Sequence, residues 1–462
     1  MFDIDLSKHG ENICLISDNI EIKYNQIDKL CSHIAHVLPY TKQLILVKAQ
    51  TNLETIIGYL TFLKNNHAFI MLDADIDDEL SANIITTYNP NYIWEEKVSS
   101  VKYLVEYETY GLRIYNKQEI LLNPDLSLML STSGTTGSPK MVKLTKENLY
   151  SNCDAIVNYL KIKSNHRAIS NLPLYYSYGL SVLNTHLKMG ASLVVTKESI
   201  MSKDFWAIFK KYNVTTLNGV PYNYEIFRRI GLMKMELSSL KYMTQAGGKL
   251  NHKLVKEYST WANANNIDFF VMYGQTEATA RISYMPLDKI LEKESSIGIP
   301  IPGGKLLIKD LKNDDFINEP FKDGELVYKG KNVMMGYATK LEDLALEDEL
   351  DGLLHTGDIA QKDDDGFYYI TGRLKRFIKI HGNRIGLDEI EQYLKSKGYD
   401  VLCTGIDNKL MLVSRDNTID DIKADIVAKY SFHHSVVKVK FVNDFPVTSA
   451  GKIKYQDIIK EF

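Results

Sequence analysis

Ser131-Thr132-Ser133-Gly134-Thr135-Thr136-Gly137-Ser138-Pro139-Lys140 follows directly on the apolar triplet Leu128–Leu130. Six Ser or Thr hydroxyls surround two glycines, and a lysine closes the string. Glycine lets the backbone approach a ligand closely, while hydroxyls, free N–H groups and one cation together suit a polyphosphate. The common nucleotide loop would place a second glycine where Pro139 stands, so this string is a different device. Many Ser/Gly strings are plain surface loops. What surrounds this one therefore decides its reading.

Working outward, helical and strand patterns alternate. Ile27, Leu30, Cys31, Ile34, Ala35 and Leu38 form one apolar stripe at helical spacing. Leu44–Val47 and Phe69–Leu72 read as buried strands between helices. Thr145 is placed to cap a helix with Leu149, Cys153, Ile156, Val157 and Leu160 on one face. Such alternation predicts α/β layers with mainly parallel sheets. From about Lys305 to Tyr337 the texture becomes short β-like stretches (Lys305–Lys309, Glu325–Lys329) separated by Gly, Asn and Asp. A turn-rich passage at Gly366–Gly372 precedes a compact segment with its own helix over Leu387–Leu394, closed by Gly398. The expected organisation is a large N-terminal domain over 1–372, with a β-rich subdomain at about 305–372, and a small α+β domain over 373–462.

Composition narrows the function classes. At ~150 residues per domain, 462 residues allow about three structural units, and 45% hydrophobic with 24% charged residues builds an ordinary globular core. A formal net charge of -3 argues against a dedicated nucleic-acid binder. The N-terminal MFDIDLSKHG lacks the basic-then-apolar order of a signal peptide. Apolar runs such as Ile56–Leu63 stop well short of the ~18 residues that span a bilayer. Cys14, Cys31, Cys153 and Cys403 are far apart and form no metal or redox spacing. The expectation is a reduced, cytoplasmic enzyme.

Taken whole, the string STSGTTGSPK resembles the phosphate-loop signature of the adenylate-forming superfamily: acyl-CoA synthetases, aryl-CoA ligases, luciferases and peptide-synthetase adenylation domains. The rest of the chain agrees, in the family's order. Leu172-Pro173-Leu174-Tyr175-Tyr176-Ser177-Tyr178-Gly179-Leu180 resembles the segment that opens the acyl pocket. Gln245-Ala246-Gly247-Gly248-Lys249-Leu250 is similar to the Gly-Gly turn near the adenine, and Tyr273-Gly274-Gln275-Thr276-Glu277 to the Tyr-Gly-x-Thr-Glu motif. Gly324-Glu325-Leu326, Tyr337, Thr356-Gly357-Asp358, Gly372-Arg373 and Pro446 through Lys452 complete the set. The family fold implied is layered α/β subdomains plus a small β-barrel-like unit, followed by a small mobile C-terminal domain.

The resemblance implies roles. Thr132, Ser133, Gly134, Thr135, Thr136, Gly137 and Lys140 would hold the β- and γ-phosphates of ATP. Glu277 would bind Mg²⁺, directly or through water, as a hard oxygen ligand, with Thr276 beside the α-phosphate. Tyr273, Gly274 and Gln275 would flank the adenine, with Gly247 and Gly248 keeping that slot thin. Asp358 would accept hydrogen bonds from both ribose hydroxyls, assisted by Arg373. Lys452 would reach the oxygen bridging carboxylate and α-phosphate, a task suited to a mobile point charge. Lys375 matches the hinge position. The run Arg373–Arg384 holds five Lys/Arg, Arg376 among them, and no acid, a charge suited to a phosphopantetheine donor; within it Gly382 matches the glycine lining the pantetheine tunnel, and Lys379 adds positive charge.

The acyl pocket would be formed by Tyr176, Tyr178, Gly179 and Ala246. Tyr176 stands where many acyl- and aryl-CoA ligases carry His, and no Phe-Asp-x-Ser arrangement for holding an amino group is present. Three tyrosines, Tyr175, Tyr176 and Tyr178, favour a short or polar acid over a long chain. The function implied is ATP-dependent activation of a carboxylic acid to an acyl-adenylate, with transfer to CoA. A carrier-protein phosphopantetheine or an amine is the alternative acceptor. A non-catalytic nucleotide-binding module is the reading from another class, and retention of Lys140, Glu277, Asp358, Arg373 and Lys452 argues against it. No carrier domain is expected within the chain, and no membrane span.

Overall fold

The computed structural model describes residues 6–131, 140–374, 376–380, 383–448 and 451–462. Thr132–Pro139, Lys375 and Gly382 therefore lie outside the described residues. The chain divides into two compact units, Met1–Glu294 with Gly298–Lys305 and Lys329–Leu354, and Ser295–Ile297 with Leu306–Tyr328 and His355–Phe462.

The first unit holds two large sheets. Among the described residues, one has eight strands with a parallel centre: Leu44–Ala49 pairs with both Ala68–Asp73 and Tyr92–Glu96, and Ala68–Asp73 pairs with Leu126–Ser131. Its edges are antiparallel, and one is Met141–Thr145 paired with Gly336–Ala338. The expectation of mainly parallel sheets thus holds at the centres. The short edge strands, which carry too few residues for a pattern to show, run the other way. Leu44, Leu46, Ile70, Leu72, Tyr88 and Ile93 pack one face of this sheet at near-zero exposure. Because both faces are covered, Leu44–Val47 is a continuous apolar run. Thr145 caps the helix Lys146–Leu160: its side chain accepts from the Asn148 N–H at 3.0 Å, while Asn148 Oδ1 accepts from the Thr145 N–H at 2.9 Å. The first stripe folds as the helix Tyr24–Ala35, which ends before Leu38.

The second large sheet carries five parallel strands that matter below: β1 (Arg167–Ile169), β2 (Ser192–Val194), β3 (Thr216–Gly219), β4 (Tyr242–Gln245) and β5 (Asp268–Tyr273). Their spatial order is β5-β4-β3-β1-β2. From β1 the chain moves outward to β2 through helix α1 (Ser177–Lys188), then returns to lay β3 on the other side of β1. The direction of strand addition therefore reverses between β1 and β3. In open α/β sheets, that crevice at the carboxyl ends of the strands is where ligands bind.

In the second unit, β6 (Leu353–Lys362, mostly within this unit) pairs antiparallel with β7 (Tyr368–Arg373) in a five-stranded sheet that also contains Lys305–Lys309, as read from sequence, and Gly324–Lys329, one residue longer than the stretch read there. Beyond it, Phe377–Ile380 and Asn383–Gly386 form a two-stranded ribbon, and Val401–Ile406, Lys409–Ser414 and Val437–Phe441 a three-stranded sheet. The helices Leu387–Ser396 and Ile419–Tyr430 cover that sheet through Leu387, Ile390, Leu394, Ile422 and Ile426. Among the described residues, no helix is long and apolar enough to cross a membrane.

Candidate active site

In the first unit the site residues leave the carboxyl ends of neighbouring strands. The register sets Gly219 opposite Gln245, and Gln245 opposite Val271, so the segments after β3, β4 and β5 emerge side by side. After β4 comes the Gly-Gly turn. Gly247 has φ +83, and a Cβ there would lie 2.5 Å from the Tyr176 hydroxyl oxygen and 3.0 Å from Val220 Cγ1. Both the backbone angle and the lack of space demand glycine. Gly248 packs against the Pro221 ring, and Gln245 Nε2 donates to the Gly248 carbonyl at 2.9 Å. Ala246 is buried.

After β5, Gly274 passes so close to the Ala280 carbonyl that a Cβ would fall 1.9 Å from it. Gln275 Nε2 donates to the Tyr273 hydroxyl at 3.2 Å, and Thr276, buried, has its hydroxyl 3.3 Å from that of Ser177. Glu277 is half-buried. Its Oε1 accepts the Tyr337 hydroxyl at 2.8 Å, and its carbonyl accepts the Met334 N–H at 2.9 Å. Lys140 Nζ sits 3.4 Å from the centroid of the same Tyr337 ring. One tyrosine thus joins Lys140, the cation that ends the glycine-rich string, to the carboxylate of the Tyr-Gly-x-Thr-Glu segment. The cation lies over the ring's electron-rich face, while the hydroxyl donates to the anion. Burial, then the adjacent Glu277 charge, pushes the Tyr337 hydroxyl well above its usual range, so it stays a donor.

The turn after Glu277 is strained. Thr279 has φ +67, an outlier for a β-branched residue that costs on the order of 1–3 kcal/mol. Asn332 holds it there: its carbonyl accepts the Thr279 hydroxyl at 2.7 Å, and its Nδ2 donates to the Ala278 and Arg281 carbonyls, each at 2.9 Å.

Tyr176 and Tyr178 differ in surroundings. Tyr178 is 1% exposed; its hydroxyl meets the Thr244 carbonyl at 2.9 Å and the Thr244 hydroxyl at 2.7 Å, and the Arg281 guanidinium lies 4.0 Å from its ring centroid. Tyr176 packs edge-on against Tyr178, with centroids 6.2 Å apart, and turns its hydroxyl toward Gly247. Burial raises both hydroxyl pKa values, so neither ring ionises near neutral pH. Gly179 lies in the first turn of α1, packed on Pro173.

The second unit carries the other residues. Asp358, 2% exposed, stands opposite Arg373 in the β6–β7 register and accepts its Nε–H at 2.7 Å. Gly357 has φ +71, and the Thr356 hydroxyl accepts the Asp358 N–H at 3.1 Å. Lys452, half-buried, belongs to a hairpin closed on itself: Thr448 N–H donates to the Lys452 carbonyl at 2.7 Å, Lys452 N–H to the Thr448 hydroxyl at 3.0 Å, and Lys454 N–H to the Pro446 carbonyl at 2.9 Å. Lys379 is exposed on its ribbon strand. Arg376 is an addition the sequence reading had left as one charge in a basic run. Its guanidinium bonds Asp388 and Glu391, donates to the Cys403 carbonyl at 2.7 Å and lies 3.8 Å from the Tyr455 ring centroid.

The sequence family described as AMP-binding enzyme matches residues 2–338. The chain belongs to the AMP-binding enzyme family. As an AMP-binding enzyme it is 26% identical over 375 residues to 4-coumarate–CoA ligase-like 6 of Arabidopsis thaliana, covering 77% of this chain and 65% of that protein. It is 29% identical to the oxalate–CoA ligase of the same plant (74% and 69% covered) and 29% identical to a long-chain-fatty-acid–CoA ligase of Salmonella typhimurium (76% and 64%). The matched chain thus spans about two thirds of these relatives' length. Among solved structures, the o-succinylbenzoate CoA synthetase of Bacillus subtilis in complex with AMP is 20% identical, with a TM-score of 0.77 over 98% of this chain and 97% of that one. Klebsiella oxytoca NpsA is 19% identical, with a TM-score of 0.79 over 100% and 98%. At these identities the structural likeness establishes the fold of this AMP-binding enzyme.

Proposed function

We propose that the chain is an AMP-forming acid–thiol ligase. A carboxylate oxygen attacks the α-phosphorus of ATP, the bond to the β-phosphate breaks, and pyrophosphate leaves. A thiol sulfur then attacks the acyl carbon, AMP departs, and the thiol proton passes to solvent. CoA is the acceptor favoured by the ligase names of the relatives. The observation that carries this reading is the Lys140–Tyr337–Glu277 connection, which sets a cation and a carboxylate a tyrosine apart at the end of the phosphate-loop string.

Two anions must be brought together, so positioning and charge neutralisation supply most of the rate. Lys140 with the hydroxyl-rich string Thr132–Gly137 offsets charge on the departing pyrophosphate. Glu277 supplies the oxygen ligand for the magnesium that arrives with ATP as substrate. Magnesium keeps several waters and leans on phosphate oxygens, so a single carboxylate suits it. Thr276 faces the α-phosphate, and Gly247, Gly248, Tyr273, Gly274 and Gln275 take the adenine. Asp358 and Arg373 take the ribose, and Lys452 the bridging oxygen. Residues 373–462 act as a small mobile domain turning at Lys375, with Gly382 and Lys379 on the thiol's path. The enzyme works in the cytoplasm on a free carboxylic acid.

Pyrophosphate release against a panel of carboxylic acids, with and without CoA and with products identified by mass spectrometry, tests this. Acid-dependent release of pyrophosphate and formation of an acyl-CoA are expected. ATP binding without release for any acid would leave a nucleotide-binding module, and release without CoA consumption would move the acceptor to a carrier protein or amine.

A further inference from the structure

At the crevice between β1 and β3, where the sheet reverses its direction of strand addition, there is a cleft with room for about one water-sized group. Ser170 and Asn171 enter it from the end of β1, Asn218 from β3, and Leu174, Gly179 and Val182 from the segment ahead of α1 and from α1 itself. Besides Ser170, whose hydroxyl is taken up by the Thr196 backbone, its polar side chains are two amides that are left half-satisfied. Asn218 is 2% exposed; its Oδ1 accepts the Thr244 hydroxyl at 2.6 Å, but its Nδ2 finds no hydrogen-bond partner among the described residues. Asn171 donates through Nδ2 to the Asn218 carbonyl, and its Oδ1, buried as an atom, likewise has no partner among the described residues. One orphan donor and one orphan acceptor therefore share one cleft. Leaving such groups unpaired is costly, so native structures rarely do it without an occupant.

We infer that this cleft is the far end of the acyl site and that it takes a hydroxyl group of the acid: the enzyme's substrate is a hydroxy-carboxylic acid. A hydroxyl oxygen accepts from Asn218 Nδ2 while its proton is donated to Asn171 Oδ1, satisfying both amides with one atom. A methyl satisfies neither. A carboxylate would satisfy only the donor and set a negative charge beside an amide oxygen. A chain of contacting side chains already described links the cleft to the residues proposed for the activating end. Asn218 holds Thr244, Thr244 holds Tyr178, and Tyr178 packs on Tyr176, whose hydroxyl faces Gly247. The inference rests on the ligase reading above and adds the substrate's class to it.

The test is pyrophosphate release by the full chain with matched acid pairs, 3-hydroxybutyrate against butyrate and 4-hydroxybenzoate against benzoate, in the wild type, Asn218→Leu and Asn171→Leu. The expected result is a kcat/KM for the hydroxy member of at least one pair ~10–100-fold above its deoxy partner, the range expected when one buried polar group is left unpaired. Asn218→Leu should bring that ratio near one by losing activity on the hydroxy acid and gaining it on the deoxy acid. Asn171→Leu, at a half-buried position, gives the same readout if the deeper change prevents folding. Equal turnover of both members by the wild type overturns the inference, leaving a resident water as the occupant and the ligase intact. A hydroxyl preference that both variants retain also overturns it. Absence of release with every acid, while ATP still binds, removes the ligase reading itself and this inference with it.

Discussion

The two halves of the proposed catalytic machinery are built differently. In the first unit, the Gly-Gly turn and the Thr276–Glu277 segment leave the ends of buried parallel strands, whose register leaves them no freedom to slide. In the second unit, Arg373 is 61% exposed beside the buried Asp358, and Lys452 rides a hairpin in which Thr448 bonds Lys452 and Lys454 bonds Pro446. The first arrangement suits groups that hold a ligand through the whole reaction. The second suits a charge that can be carried in and withdrawn without altering its local geometry. On the proposed function, a rigid frame would hold the ligand while a locally bonded hairpin carried the moving charge.

Changes that strike each half should separate them. The largest effect is expected for Arg376→Leu, which removes the guanidinium from Asp388 and from the buried Glu391 and leaves Glu391 only the longer Lys395 pair. Breaking such a buried network costs about 3–5 kcal/mol. Denaturant unfolding should show a separate, earlier transition if the second unit melts by itself, whereas one unshifted transition would break the comparison. Lys452→Ala should lower adenylate formation by ~10³ and spare thioester formation from a pre-made acyl-adenylate, because one charge on the travelling hairpin serves only the first step. Equal loss in both half-reactions would make the hairpin part of the fixed frame. Glu277→Gln, on the fixed half, should cost ~10² in pyrophosphate release by removing one strong electrostatic contact while keeping the side chain's size. Tyr337→Phe keeps the ring beneath Lys140 but deletes the donor to Glu277, so ~10-fold is expected from one charge-assisted hydrogen bond. Wild-type kinetics there would mean that the tyrosine joins the two charges only sterically.

A further effect is one of pH. His186 on α1 is 2% exposed, with Nδ1 2.8 Å from the Val182 carbonyl and Nε2 3.2 Å from the Tyr242 hydroxyl, and burial lowers its pKa to about 4. The unfolded chain takes up this proton near ~6.5. The stability it contributes is therefore whole above ~6.5 and is lost as pH falls toward the folded value. His186→Gln should flatten the fall of Tm with pH between those limits. An unchanged slope would assign the acid sensitivity to other groups.

Much of this was legible in the sequence because it is local. The Thr145 cap, the strands at Leu44–Ala49 and Ala68–Asp73 and the helix at Leu387–Ser396 follow from spacing over a few residues. Antiparallel edge strands of two or three residues did not, since such lengths carry no period. Nor did the connections that give the site its shape. Tyr337 meets Glu277 across 60 residues, and Asn332 clasps Thr279 across 53. Nothing near Thr279 announces a left-handed backbone angle, because the residues that enforce it come from another segment. Arg376 looked like one charge in a basic run, and only its three carboxyl and carbonyl partners, brought from separate elements, reveal a buried crosslink.

The pairing of β3 with β4 sets Asn218 beside Thr244 and Gly219 beside Gln245, one step apart along the same two strands. On the proposed function, one step inward the strands would face the acid, and one step outward they would open onto the turn against the nucleotide. Two adjacent rungs of a single ladder would thus answer to different molecules. Replacing Asn171 or Asn218 changes side chains while leaving that ladder's backbone bonds in place, so such an enzyme can drift from one acid to another without relearning how to hold ATP.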